Sequence, residues 1–256
     1  VTRFKWAIKD TATDIVFNAL RPAIRFTKEE CLDLPEMVYT KRKVELTPQQ
    51  KKYYKELKSN MVMQVAGEEV TAMNAAVNMN KLLQISAGAV YTDEGDALQF
   101  DIKNRYSVLM ESIQEARGKV LIFVPFRHAI SLLSEKLSAD GITNEIIQGS
   151  VTAAKRTDAF RRFQTQQDPR VLVIQPAAAA HGVTLTAADT VVWWAPTSSL
   201  EIYSQANARV HRTGQVNKCT VVQLYGSPVE QHVYKLLDAR IDVHTKILDL
   251  YNELLD

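Results

Sequence analysis

Arg209 and Arg212 stand three residues apart in the stretch 205–215, QANARVHRTGQ, which reads as the end of a helix stopped by Gly214. That spacing puts both side chains on nearly one face of such a helix. Two forked, permanently charged guanidinium groups suit the spread negative charge of a transferring phosphoryl group. The same pair could bridge acidic side chains or cap the last helical carbonyls, and spacing alone leaves both readings open. Basic side chains also cluster as Lys41-Arg42-Lys43, as Lys51-Lys52 with Lys55 and Lys58, and as Lys155-Arg156 with Arg161-Arg162. Such clusters can neutralise phosphates along a nucleic-acid backbone, or be simply the solvated face of a helix.

Missing motifs exclude other chemistries. A protein hydrolysing nucleotide unaided would need a phosphate loop, GxxxxGK followed by Ser or Thr, whose backbone N–H groups cradle phosphate. The Gly118-Lys119 pair is followed by Val120 and has Ile113 where the first glycine should stand. No GxGxxG opens a dinucleotide site and no GxSxG holds a nucleophilic serine. The five histidines show neither HExxH nor an i, i+4 pair, and Cys31 and Cys219 lack CxxC spacing, so no metal site is expected. Asp93-Glu94-Gly95-Asp96 reads as a turn rather than a metal-holding strand end. Two distant cysteines suggest no disulfide framework and fit a reducing cytoplasm. The apolar runs 120–124 and 191–195 fall far short of the roughly 20 residues a membrane span requires.

These residues need elements to position them. The 256 residues are 46% hydrophobic and 23% charged, which suits a globular domain with an appendage. The net charge of +2 is uneven: +5 over residues 1–58, −4 over 59–100, +3 over 101–170 and −2 over 171–256. From about residue 103, apolar β-branched runs alternate with helical patterns. Strands are expected near 120–124, 145–148, 171–175, 190–194 and 219–224, with helices over 127–139, 152–164, 199–211 and 229–250. Ile130, Leu133 and Leu137 form one apolar stripe. Continuous apolar strands between amphipathic helices predict a parallel sheet buried on both faces, with Trp193 and Trp194 packed inside it. The first hundred residues hold few β-type runs. Thr47-Pro48 reads as an N-cap with proline at the first helical position, opening a helix through Tyr53, Tyr54 and Leu57. A second helix is expected over 70–85, so 47–100 reads as a helical protrusion.

QANARVHRTGQ resembles motif VI, QAxxRxxRxGQ, of the Swi/Snf-related DNA translocases in helicase superfamily 2, and further segments extend the resemblance over roughly 190 residues. KVLIFVPF at 119–126 resembles motif IV, and VLVIQPAAAAHGVTLTAAD at 171–189 resembles motif V. Gly149-Ser150 with Arg156 and Phe163 fits the segment between them. Upstream, 25–30 with Leu34-Pro35 resembles the family's connector, and Gln49, Tyr53 and Leu57 fit the helix that follows it. The wording of 18–30, 82–91 and 177–189 is similar to the phage and prophage branch.

The resemblance implies an α/β fold, a RecA-like parallel sheet flanked by helices. It divides the chain into a connector and first lobe segment (1–46), the protrusion (47–100) and the C-terminal helicase lobe (101–256). In that family, ATP with Mg2+ sits between two RecA-like lobes, held mainly by the N-terminal one. Arg209 and Arg212 would then be the arginine fingers, with Gln205, Gly182 and Thr184 lining the ATP cleft. Phe126, Arg127, Gln175 and Pro176 would face the backbone of double-stranded DNA, with Lys155 and Arg156 as weaker candidates. Motif V departs from the family, with Gln175-Pro176-Ala177-Ala178 where many members carry a Ser-Thr pair and Thr184 in place of Asn or Asp. Ser198-Ser199-Leu200 stands where the family has Trp-Asn-Pro. The expected partners are duplex DNA and an N-terminal lobe of the same polypeptide, in the cytoplasm of a bacterial or phage-infected cell. Since the chain starts at Val1 within a charged stretch, it is expected to be part of a longer polypeptide. Alone it should bind DNA weakly, in a salt-sensitive way, without ATPase activity. The alternatives are an RNA or single-strand helicase of superfamily 2 and a non-catalytic nucleic-acid-binding module.

Overall fold

The computed structural model describes residues 9–22, 33–65, 71–91, 97–179 and 182–255. Most of the connector resemblance (25–30), the 93–96 turn, Ala180 and His181 fall outside them. Two compact units divide the chain, Val1–Leu34 and Pro35–Asp256. The first holds helix α1 (Ala12–Ala19).

The second unit opens with strand β1 (Met37–Lys43), helices α2 (Pro48–Val65) and α3 (Ala72–Ala87), a two-stranded ribbon of β2 (Ala89–Tyr91) and β3 (Ala97–Gln99), and helix α4 (Lys103–Glu115). Strands and helices then alternate: β4 (Lys119–Phe123), α5 (Arg127–Ala139), β5 (Asn144–Ile147), α6 (Ala153–Thr165) and β6 (Val171–Ile174). A 3-10 turn, Pro176–Ala179, leads towards β7 (Ala188–Trp193), α7 (Leu200–Asn207), β8 (Cys219–Tyr225) and α8 (Pro228–Asp238). A second 3-10 turn, Val243–Lys246, precedes α9 (Ile247–Leu255). No helix among the described residues is long and apolar enough to cross a membrane.

The six main strands lie in the order β1-β8-β7-β4-β6-β5, every pair parallel, as the continuous apolar runs predict. Alternate residues feed two cores. Leu121 and Phe123 enter one, while Val120, Ile122 and Val124 enter the other. Trp193 and Trp194 go to opposite faces for the same period-two reason, and both are fully buried. Met61, Ala75, Met79, Leu82 and Leu83 from α2 and α3 join the core of Trp193, Tyr234 and Tyr251. Full burial of a large apolar side chain is worth about 1.5–3 kcal/mol, so this shared core firmly anchors both helices to the sheet. The Thr47 N-cap forms as read: Thr47 N–H donates to Gln50 Oε1 at 3.0 Å and Gln50 N–H to Thr47 Oγ1 at 3.4 Å.

Three readings of local structure need correction. Residues 37–43 form an edge strand, because Met-Val-Tyr-Thr-Lys-Arg-Lys alternates exposure and finds a parallel partner in β8. Its basic cluster therefore rides on a strand, with Lys41 Nζ 2.7 Å from Asp238 Oδ2 and Arg42 bridging to Glu115. The helix expected over 229–250 breaks after Asp238, where Arg240 adopts a left-handed φ of 58°. The helix expected over 199–211 stops at Asn207, which changes the setting of the arginine pair.

A buried polar knot ties α3, α4, β7 and α8 together. Arg105 Nη2 donates to Glu230 Oε2 at 2.8 Å, with the two side chains 3% and 0% exposed, and Nη1 donates to the Trp194 carbonyl. The same carboxylate accepts from the N–H groups of Gly226 (2.7 Å) and Ser227 (3.1 Å). Ser227 Oγ in turn bonds Ser86 Oγ on α3 at 2.8 Å. A paired and hydrogen-bonded charge is one the interior can hold.

Candidate functional site

Arg209 and Arg212 lie in irregular turns beyond the C-terminus of α7. Gly214 is left-handed, with φ of 95°, but it closes the Arg212–Gln215 turn, in which Gln215 N–H donates to Arg212 O at 3.0 Å, and caps no helix. Both side chains turn towards the segment that follows β6. Arg209 Nε donates to Ala179 O at 2.9 Å and Arg212 Nη1 to Val183 O at 3.4 Å. Leu185 N–H bonds Arg209 O at 2.9 Å, so the two segments are also locked through the backbone. Burial, and then repulsion from Arg212, lower the pKa of Arg209. A partly buried cation held beside a second one favours an anion placed between them.

The sequence-expected companions are close in chain and in space to this turn. Gly182 sits in the same segment with φ of 37°, a conformation that favours glycine, and its missing β-carbon would meet open space. Thr184 is exposed two residues on. Gln205 is spent within its own helix, its Nε2 donating to Glu201 Oε1 at 2.9 Å.

A second feature lies at the C-terminal ends of the strands. Pro125, Phe126 and Arg127 after β4, Gln175 after β6, and 196–198 after β7 line a cleft of about 370 Å3 closed on its other side by Asn80, Leu83, Gln84 and Tyr91. Strand ends are where open α/β sheets place ligands. Gln175 Oε1 accepts from Gly149 N–H at 3.3 Å, and Gly149 lies against Arg127. Pro176 is buried behind Gln175. Lys155 and Arg156 do not line the cleft. Lys155 is exposed near the start of α6, while Arg156 Nη2 donates to Val151 O at 3.2 Å. Arg161 and Arg162, from the same basic cluster, pair with Asp158, and Arg162 also pairs with Glu145.

Sequence reasoning missed Gln215 and Asn207 as working parts. Gln215 is 5% exposed, and its Nε2 reaches three carbonyls, Thr186 (3.2 Å), Ala188 (2.9 Å) and Val210 (3.2 Å), stapling the β7 entry to the arginine turn. Asn207 Oδ1 accepts from Trp193 Nε1 at 3.0 Å, fixing the end of α7 to the sheet. Both stood in the quoted motif, but a polar residue beside arginines gives no sign of burial. Among the described residues, no group of three His, Cys, Asp or Glu side chains could hold a metal.

Comparison with known proteins agrees with the fold. Residues 104–214 match the helicase conserved C-terminal domain. An uncharacterized ATP-dependent helicase of Mycoplasma genitalium is 26% identical over 234 residues, 88% of this chain and 22% of that protein. The CHD3-type chromatin-remodeling factor PICKLE of Arabidopsis thaliana is 26% identical over 235 residues, 83% of this chain and 16% of that protein. The chain thus spans about a fifth or less of the length of these relatives. Among solved structures, the C-terminal part of the Fun30 ATPase domain superposes with a TM-score of 0.71 at 16% identity, covering 88% of this chain and 98% of that one. The Sulfolobus solfataricus SWI2/SNF2 ATPase core in complex with dsDNA superposes with a TM-score of 0.70 at 21% identity, covering 96% and 56%. Residues 104–214 thus resemble the helicase conserved C-terminal domain, and the parallel six-stranded lobe that holds them has the RecA-like fold seen in the C-terminal lobe of SWI2/SNF2 ATPases.

Proposed function

We propose that the chain is the C-terminal half of a SWI2/SNF2-type motor that uses ATP to move along double-stranded DNA. In this reading, Arg209 and Arg212 supply positive charge to the phosphates of ATP held by an N-terminal RecA-like lobe of the same polypeptide. Gln205, Gly182 and Thr184 flank that contact. Phe126, Arg127 and Gln175 meet the DNA backbone, with the buried Pro176 shaping the turn under Gln175 and Lys155 and Arg156 lying outside the cleft. The observation that carries the reading is the shared segment 175–184. It places Gln175 in the strand-end cleft and the carbonyls of Ala179 and Val183 against the two arginines. A shift of Arg209 at Ala179 O is thereby passed to Gln175 along the Pro176–Ala179 turn.

ATP would supply the phosphoryl group whose hydrolysis drives the cycle, and two guanidinium groups on one segment fit its phosphates. Mg2+ would be held by acidic residues of the N-terminal lobe. The duplex bound in the Sulfolobus structure supports DNA as the track. Phosphate contacts carry no base information, so sequence preference should be weak. The wording of 18–30, 82–91 and 177–189 supports the phage and prophage branch, and the spaced cysteines support action in the cytoplasm. Without its partner lobe the chain should bind DNA weakly and turn over no ATP.

The test is Arg212→Ala in the full-length protein, read by ATP hydrolysis with duplex DNA, single strands and RNA. Loss of an arginine finger should lower duplex-stimulated turnover by about 10³-fold. Unchanged turnover would remove Arg212 from the reaction. Stronger stimulation by RNA or single strands would move the protein to the other superfamily 2 helicases, and absence of any ATPase would make it a binding module.

A further inference from the structure

We infer that helix α3, in the segment that the sequence alone marks only as a protrusion, supplies a backbone-phosphate subsite for duplex DNA through Gln84. Gln84 lines the strand-end cleft and is 7% exposed. Its orientation is fixed, because Oε1 accepts the N–H of Tyr91 at 3.0 Å. That bond directs the amide Nε2 the other way. This NH2 has no hydrogen-bond partner among the described residues and is not sealed within protein, so it opens into the cleft. A side chain held nine-tenths buried with its donor unspent is costly unless something accepts from it.

The acceptor is defined by what surrounds it. Among the described residues, Arg127 is the only ionised side chain lining the cleft, and no carboxylate does. Asn80, one helical turn before Gln84, adds an exposed amide to the same wall. The wall is also tied to α5, since the Tyr91 ring packs on His128 with centroids 4.7 Å apart, next to Arg127. One cation facing neutral amides, with no opposing acid among the described residues, suits a singly charged phosphodiester oxygen. The occupant is therefore the DNA backbone, gripped from the sheet by Arg127 and from α3 by Gln84.

The inference rests on the DNA-facing reading of the cleft, and the experiment separates the two. Duplex binding by the full-length protein is measured by fluorescence anisotropy over a salt series for wild type, Gln84→Glu, Asn80→Asp and Arg127→Ala. Gln84→Glu keeps the acceptor for Tyr91 and the size of the side chain but turns the donor into an anion. It should raise Kd about tenfold, consistent with loss of a hydrogen bond to a charged group, with circular dichroism and melting temperature unchanged. Asn80→Asp should raise Kd two- to threefold, on the order of one weak added repulsion, and being exposed it decides the matter if Gln84→Glu does not fold. Arg127→Ala should weaken binding and reduce the salt slope by about 1. Weakening by Arg127→Ala with both α3 variants at wild-type affinity overturns the subsite alone. Wild-type affinity for all three overturns the DNA reading of the cleft. Binding of inorganic phosphate that Gln84→Glu abolishes, with DNA affinity intact, would assign the cleft to free phosphate instead.

Discussion

Arg161-Arg162 on α6 and Arg209 with Arg212 beyond α7 raise the same suspicion in the sequence, yet the bonds the fold gives them differ. Arg161 Nη2 lies 2.7 Å from Asp158 Oδ1, and Arg162 bonds both Asp158 and Glu145. Those bonds, to Glu145 first, raise the pKa of Arg162. The turn arginines lean on the carbonyls of Ala179 and Val183, and burial with mutual repulsion lowers the pKa of Arg209. A carboxylate three or four residues away along a helix neutralises its arginine whatever else is nearby. A backbone carbonyl carries no net charge, so the bond from Arg212 Nη1 to Val183 O leaves that guanidinium positive. The difference teaches that a basic cluster in the sequence says little about phosphate until the partners the fold gives each cation are known.

The comparison can be broken in several ways. The largest effect is expected for Arg209→Ala in the full-length protein, a loss of duplex-stimulated ATP turnover of about 10³-fold, with Arg209→Lys restoring little because an ammonium lacks the planar fork. Next comes a fully buried arginine, whose role is structural: Arg105→Ala should destabilise the fold by about 3–5 kcal/mol in urea unfolding, because Glu230 is left buried without its cation. Gln215→Ala tests how the arginine turn is held. It should cost about 1–3 kcal/mol for the orphaned carbonyls and lower turnover several-fold while leaving duplex affinity near wild type. Arg161→Ala should be the quietest, with duplex affinity and melting temperature indistinguishable from the parent, since an exposed helical ion pair contributes little. A large loss of DNA affinity in Arg161→Ala, with Arg209→Ala silent, would reverse the comparison.

Much of the lobe was legible. Strands β4, β6 and β7 are legible as apolar runs, β5 and β8 as shorter β-branched stretches near the expected positions, and α5 by its Ile130, Leu133 and Leu137 stripe, all three buried. Strand β1 was hidden because an edge strand alternates, and its lysines and arginine read as a solvated helix. The helix ends at Asn207 and Asp238 were hidden for a different reason. The periodicity runs on past both, while the breaks come from tertiary bonds such as Leu185 N–H to Arg209 O and from the left-handed Arg240. The strand-end cleft brings Phe126, Arg127 and Gln175 together, while Lys155 and Arg156 lie outside it, a placement set by the fold and not by spacing along the chain.

The sequence by itself determined the parallel α/β lobe, the two arginines and the motifs that bracket them, because apolar periodicity and residue type are local properties. Only the tertiary structure decided that Arg161 and Arg162 pair with carboxylates while Arg209 and Arg212 bond the carbonyls of Ala179 and Val183. It alone brought α3 across to face Arg127 and put Gln215 among three carbonyls. Electrostatic state and hydrogen-bond satisfaction depend on neighbours dozens of residues away in the chain, and nothing in the spacing of Arg161, Arg162, Arg209 and Arg212 records where Asp158, Glu145 or the carbonyl of Ala179 will stand.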